Sequence, residues 1–66
     1  MMDLSIVIPL LNEQDSIEEL FQRIKTVCIE NNFTFEVIFI DDGSTDNSWK
    51  IIEFLADGNP EIKAVR

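Results

Sequence analysis

The run Phe35-Glu36-Val37-Ile38-Phe39-Ile40 sets the tightest limit on what this chain can fold into. Apart from one glutamate its residues are β-branched or aromatic, the composition of a strand. Successive strand side chains point to opposite faces, so an unbroken apolar run calls for cover on both sides. Strands of that kind belong to parallel sheets, whose neighbours must be joined by long crossovers, usually helices. The run therefore predicts an α/β chain with helical segments on either side of it.

Both segments carry helical patterns. Ahead of the run, Ser5-Ile6-Val7-Ile8 predicts a first buried strand over about Leu4 to Ile8, ended by Pro9, which has no amide to give an inner ladder. Asn12 to Asp15 reads as a polar loop, and Ser16 with Glu19 has the spacing of a capping box. Ile17, Leu20, Phe21, Ile24, Val27 and Cys28 then recur at helical steps, with Glu18, Glu19, Gln22, Arg23 and Lys25 between them. Asn31-Asn32 breaks that helix. After the central run, Asp41-Asp42-Gly43-Ser44-Thr45-Asp46 is a cluster of turn formers, with Thr45 and Asp46 as candidate caps for a second helix. Trp49, Ile52 and Leu55 mark that helix as packing residues, and Asp57-Gly58-Asn59-Pro60 stops it. Ile62 to Val65 reads as the start of a third strand. The order is βαβα with an unfinished β, one Rossmann-like unit over residues 1–66.

Composition narrows the function. Thirteen acidic against five basic residues give a net charge of −8, which repels the phosphates of nucleic acid. No apolar stretch has the length of a membrane span, and the start of the chain lacks the basic region of a signal peptide, so a cytosolic setting is expected. One Cys and no His rule out disulfide frameworks and zinc sites, and Cys28 reads as a core residue. Burial of roughly 6,700 Å², about 60% of it apolar, contributes on the order of 100 kcal/mol. Ordering the chain costs about the same at roughly 1.5 kcal/mol per residue. Further sequence or a partner is expected to tip that balance, with self-association through the unpaired third strand as one route.

In open parallel sheets ligands lie beyond the carboxyl ends of the strands. Pro9 to Asp15 and Asp41 to Asp46 both leave strands there, so neighbouring strands would bring Glu13 and Asp41 to one ligand. An ionised Asp only accepts hydrogen bonds, which suits the imino N–H of uracil or guanine better than adenine or cytosine. Neither loop carries Lys or Arg, and no G-x-G-x-x-G is present, so a diphosphate here would need a divalent cation. Adjacent Asp41 and Asp42 point to opposite faces of an extended chain and are poor co-ligands of one ion. Metal ligands are expected elsewhere.

The two blocks, Ser5-Ile6-Val7-Ile8-Pro9-Leu10-Leu11-Asn12-Glu13 and Val37-Ile38-Phe39-Ile40-Asp41-Asp42-Gly43-Ser44-Thr45-Asp46, together resemble the start of a family 2 glycosyltransferase of the GT-A fold. Glu19-Leu20-Phe21 and Asn47-Ser48-Trp49 are similar to the dolichyl- or undecaprenyl-phosphate sugar transferases. The resemblance implies the truncated half of a GT-A domain that binds a UDP- or GDP-sugar, in an inverting enzyme whose acceptor is a lipid phosphate. It implies that Pro9, Leu11 and Asn12 border the nucleotide, that Glu13 lies near base or ribose, that Asp41 accepts from the base, and that Asp42 supports the ribose or loop. Leu11 stands where the family often has an aromatic residue. The resemblance also implies Mg²⁺ or Mn²⁺, with metal ligands, catalytic base and acceptor pocket beyond Arg66, and a segment inactive alone at the cytoplasmic face of a membrane.

Plainer readings stand beside this one. Asp41-Asp42-Gly43-Ser44 could be a turn whose carboxylates complement the dipole of the second helix. Asn12 and Glu13 could be loop solvation, and Pro9 could merely end an edge strand. A receiver-like Mg²⁺ domain would need a further Asp at the end of the next strand. A non-catalytic module associating through its open sheet edge is the remaining alternative.

Overall fold

The computed structural model describes residues 2–66. Its elements run β1 (Leu4–Leu10), α1 (Ile17–Glu30), β2 (Phe35–Asp41), α2 (Ser48–Gly58) and β3 (Ile62–Val65). The three strands form one parallel sheet in the order β1-β2-β3. The predicted class, a Rossmann-like βαβαβ half, is the observed one. The exposed surface of 4468 Å² is close to the roughly 4,300 Å² that scaling gives a chain of this mass.

The central position falls to β2. Phe35, Val37, Phe39 and Asp41 are buried on one face, against Phe21 and Ile17 of α1 and Ile52 and Leu55 of α2 within one core. The opposite face departs from expectation. Ile38 and Ile40 are only half-buried there, because α1 and α2 lie together on the other side of the sheet. Right-handed crossovers between strands that advance in one direction place both helices on one face. The lone glutamate of the run sits on the open side: Glu36 accepts from the Ser5 hydroxyl at 2.7 Å and faces Lys63 Nζ at 3.2 Å. These partners hold its carboxyl below the usual range, the Ser5 hydrogen bond foremost.

The first strand corrects two expectations. It is an edge strand, mostly exposed rather than buried, and it runs through Pro9 to Leu10. The Leu4 amide donates to the Thr34 carbonyl at 3.1 Å and the Leu10 carbonyl accepts from the Asp42 amide at 3.0 Å, both toward β2. By alternation Pro9 faces the free edge, where its missing amide breaks no ladder. In α1, Ile17, Phe21 and Cys28 are buried, but Leu20 and Val27 are 40% and 55% exposed. The sheet ends at β1, so the outer side of the predicted apolar stripe overhangs it.

The predicted capping box does not form. Ser16 is the N-cap of α1 by position, but its side chain caps no amide of the helix. Its hydroxyl instead donates to Glu13 Oε2 at 3.1 Å. Asn47, rather than Thr45 or Asp46, precedes α2, and Asp46 acts from one residue further back by accepting the Ser48 amide at 2.9 Å. α2 ends at Gly58, within the predicted stop, where Asn59 Nδ2 closes the Leu55 carbonyl at 2.9 Å.

Candidate functional site

Register places the two loops level. Leu10 pairs with Asp41, so the chain leaves β1 and β2 at the same height, and both loops sit at the carboxyl edge. Their conformations are set by residues suited to left-handed backbone: Asn12 at φ 52° and Gly43 at φ 94°.

The loops are joined by a reciprocal set of backbone-to-side-chain bonds. From the first loop, the amides of Asn12 and Glu13 donate to Ser44 Oγ and Ser48 Oγ, each at 2.9 Å, and that of Gln14 to Asp46 Oδ2 at 3.3 Å. From the second, the amides of Thr45 and Asp46 donate to Asn12 Oδ1 at 2.8 and 3.3 Å, and that of Asn47 to Gln14 Oε1 at 2.9 Å. The amides leading into α2 are thereby occupied by protein, not left open to an anion as at many helix N-termini.

Asp41 lies beneath this seam, 3% exposed. Its Oδ1 accepts the Ser44 amide at 2.8 Å. Its Oδ2 is buried without a hydrogen-bond partner, the one such side-chain atom among the described residues. The Ser44 hydroxyl foremost, then the Ser44 and Gly43 amides and the charge of Arg66, hold the carboxyl below its usual range against the opposing effect of burial. It is therefore an ionised acceptor with an unused lone pair. Asp46 is likewise held low, by the Ser48 hydroxyl first and then by the amides of Ser48 and Gln14.

The other predicted residues occupy distinct places. Pro9, Leu11 and Glu13 line a hollow of about 350 Å³ between the end of β1 and α1, with Leu20 and Phe39 among its walls. Asp41 and Asp42 do not line it. Glu13 turns its carboxylate toward Ser16, and Asn12 is engaged with the second loop. Asp42 is exposed, its amide bonded to the Leu10 carbonyl at 3.0 Å. Trp49 packs on the core as predicted, and Arg66 lies 5.2 Å from its ring centroid. Ser44, Ser48 and Gln14 were not legible as site residues, because no local spacing announces a bond across more than 30 positions, and Arg66 reaches Asp41 only through its charge.

The donor set does not suit a metal. No group of three or more His, Cys, Asp or Glu converges among the described residues, and buried Asp41 and exposed Asp42 diverge.

A three-stranded parallel sheet with helices crossing on one face and two braced loops at its carboxyl edge defines a Rossmann-like α/β protein. The chain belongs to glycosyl transferase family 2, whose profile matches residues 5–66. It is 41% identical over 63 residues to an undecaprenyl-phosphate 4-deoxy-4-formamido-L-arabinose transferase of Pseudomonas fluorescens, covering 92% of this chain and 18% of that protein. An uncharacterized glycosyltransferase of Synechocystis is also 41% identical over 63 residues, covering 96% of this chain and 20% of the relative. A Klebsiella pneumoniae protein named as the same arabinose transferase is 43% identical over 53 residues, covering 80% and 16%. The chain thus spans about a fifth of the length of the curated relatives it matches.

Proposed function

We propose that this chain is the nucleotide-recognising segment of a glycosyltransferase that moves a sugar from a UDP- or GDP-sugar to a polyprenyl phosphate. The observation that carries the reading is the buried, unpartnered Oδ2 of Asp41 at the carboxyl edge of the central strand. An ionised acceptor in that position matches the imino N–H of uracil or guanine. Pro9 and Leu11 offer apolar contact to the base, Glu13 and Asp42 offer acceptors for ribose hydroxyls, and Asn12 borders the site. In the transfer an acceptor oxygen forms a bond to the anomeric carbon while the nucleoside diphosphate leaves with the electron pair, inverting that carbon. Mg²⁺ or Mn²⁺ and the catalytic base belong to residues other than these, so the 66-residue chain binds without transferring. Undecaprenyl phosphate appears in the names of two of the relatives described above, which supports a lipid-linked acceptor, and the setting that goes with this reading is the cytoplasmic face of a membrane. No helix among the described residues is long and apolar enough to cross one.

Calorimetric titration of UDP, GDP and ADP into the chain tests the base reading. UDP or GDP should bind more tightly than ADP, and Asp41→Ala should weaken the preferred nucleotide roughly tenfold to a hundredfold, the usual cost of losing a charged hydrogen-bond partner. Equal binding of ADP, or unchanged affinity in the variant, removes Asp41 from base recognition.

A second reading has its own support. Val7 is 55% exposed on the open face, beside half-buried Ile38 and Ile40, and β3 has a neighbour on one side only. An apolar face next to a free strand edge favours pairing of copies. Sedimentation should show dimers or larger species at micromolar concentration, and a cooperative monomer would sink this reading.

A further inference from the structure

The polar seam between the loops has a consequence for the acceptor beneath it. Ser44 is held from two directions: its hydroxyl takes the Asn12 amide at 2.9 Å, and its own amide is bonded to Asp41 Oδ1 at 2.8 Å. The next two amides, of Thr45 and Asp46, end on the single atom Asn12 Oδ1. Asn12 therefore fixes residues 44 to 46 as a unit, and Ser44 joins that unit to Asp41. Its left-handed φ of 52° is tolerated by Asn, Asp and Gly far better than by other residues, and of these only Asn and Asp carry the acceptor. Two demands, one on backbone and one on side chain, converge on one position.

A seam that engages the amides of residues 12–14 and 44–48 while leaving one buried carboxylate oxygen unpaired is preorganised. Asp41 Oδ1 is consumed by Ser44 and Oδ2 is not. If Ser44 swung away, the carboxylate would be free to rotate and take solvent or another donor, and base binding would first have to undo that.

We propose that Asn12 is a positioning residue: it braces Ser44 over Asp41 so that Asp41 Oδ2 stays unpaired and fixed for a ligand donor, and it does not itself touch the nucleotide. The proposal rests on the reading of Asp41 as the base acceptor, and it replaces direct contact by Asn12 with action through Asp41.

The experiment compares Asn12→Gly, which keeps the left-handed backbone and removes the acceptor, with Asn12→Asp, which keeps both. Three measurements are made on each: amide exchange at Thr45 and Asp46, the titration of the Asp41 carboxyl followed by NMR, and affinity for UDP and GDP. In Asn12→Gly, exchange at both amides should quicken at least tenfold. The Asp41 titration should move up toward the ordinary carboxyl range, and nucleotide affinity should fall about tenfold. Asn12→Asp should restore all three. In an Asp41→Ala background, Asn12→Gly should cost less than a further twofold, because the residue acts through the one already removed. Lost affinity in Asn12→Gly with exchange and titration unchanged would make Asn12 a direct ligand and overturn the proposal, as would additive losses in the double variant. If the native chain binds neither nucleotide, the base reading fails by itself, while exchange and titration still decide whether Asn12 governs Asp41. If Asn12→Gly does not fold, exchange in the native chain decides: Thr45 and Asp46 amides as fast as open loop amides would overturn the brace.

Discussion

At the amino end of the sheet, one side-chain pair ties β1 to the start of β2. Thr34 donates its amide to Asp3 Oδ2 at 2.8 Å, and the Asp3 amide donates to Thr34 Oγ1 at 2.9 Å. Both residues are exposed, and a hollow of about 520 Å³ lies beside them, lined by Met2, Phe33, Thr34, Phe35 and Glu61. The carboxyl end has the smaller hollow, about 350 Å³, yet it has the polar seam and the buried carboxylate with an empty oxygen. The size of a hollow therefore does not separate the two ends. What separates them is whether the local hydrogen bonds close on themselves or leave one acceptor over.

The largest expected effect destroys both ends together. Phe39 is fully buried midway along β2, and Phe39→Ala should cost about 3 to 5 kcal/mol in denaturant unfolding, the range for an aromatic truncated in a core. A loss below about 1 kcal/mol would mean that β2 is not the common support. Next, the ends should part: Asp41→Ala weakens nucleotide binding roughly tenfold or more, whereas Asp3→Ala leaves it unchanged. A matching loss in Asp3→Ala would erase the distinction. Gly43→Ala should then destabilise by about 1 to 2 kcal/mol, since Gly43 has φ 94° although no atom lies within 4 Å of an added Cβ. Backbone conformation, and not space, is what that substitution tests.

Acid should also act at the carboxyl end. Asp41 and Asp46 are held below their ordinary value of 3.8, so their ionised forms favour the folded state. That contribution is complete above the unfolded value and is lost as pH falls through the lower folded values. Circular dichroism should show stability declining below about pH 4, and Asp46→Asn should make the decline shallower; an unchanged slope would detach Asp46 from the acid response. The smallest effect belongs to the amino end, where Asp3→Ala should cost about 1 kcal/mol or less, as expected of an exposed polar pair.

Much of this was legible from residue order. The β-rich run at Phe35 to Ile40, the helical recurrence around Phe21 and the stop at Gly58 are local patterns, and local patterns report on local structure. Asp41 stood out because a carboxylate ending an apolar strand is conspicuous. The seam was not legible: the sequence puts Asn12 beside the nucleotide or in a solvated loop, and its part in the seam shows only when Thr45, 33 positions away, is seen donating to it. The capping box failed for the same reason. Ser16 had a competing partner in Glu13, and the choice between them depends on where the first loop is pulled.

Apolar periodicity alone determined that this chain alternates strand and helix, and the paired loop blocks alone pointed to its family, because period and motif are written in neighbouring residues. Only the tertiary structure decided which strand is central and which face stays open. Sheet order and crossover hand settle those, and neither leaves a mark on composition. It alone decided, too, that Asp41 keeps one oxygen unpaired. An unmet hydrogen bond is a property of everything packed around an atom, and no stretch of sequence contains that.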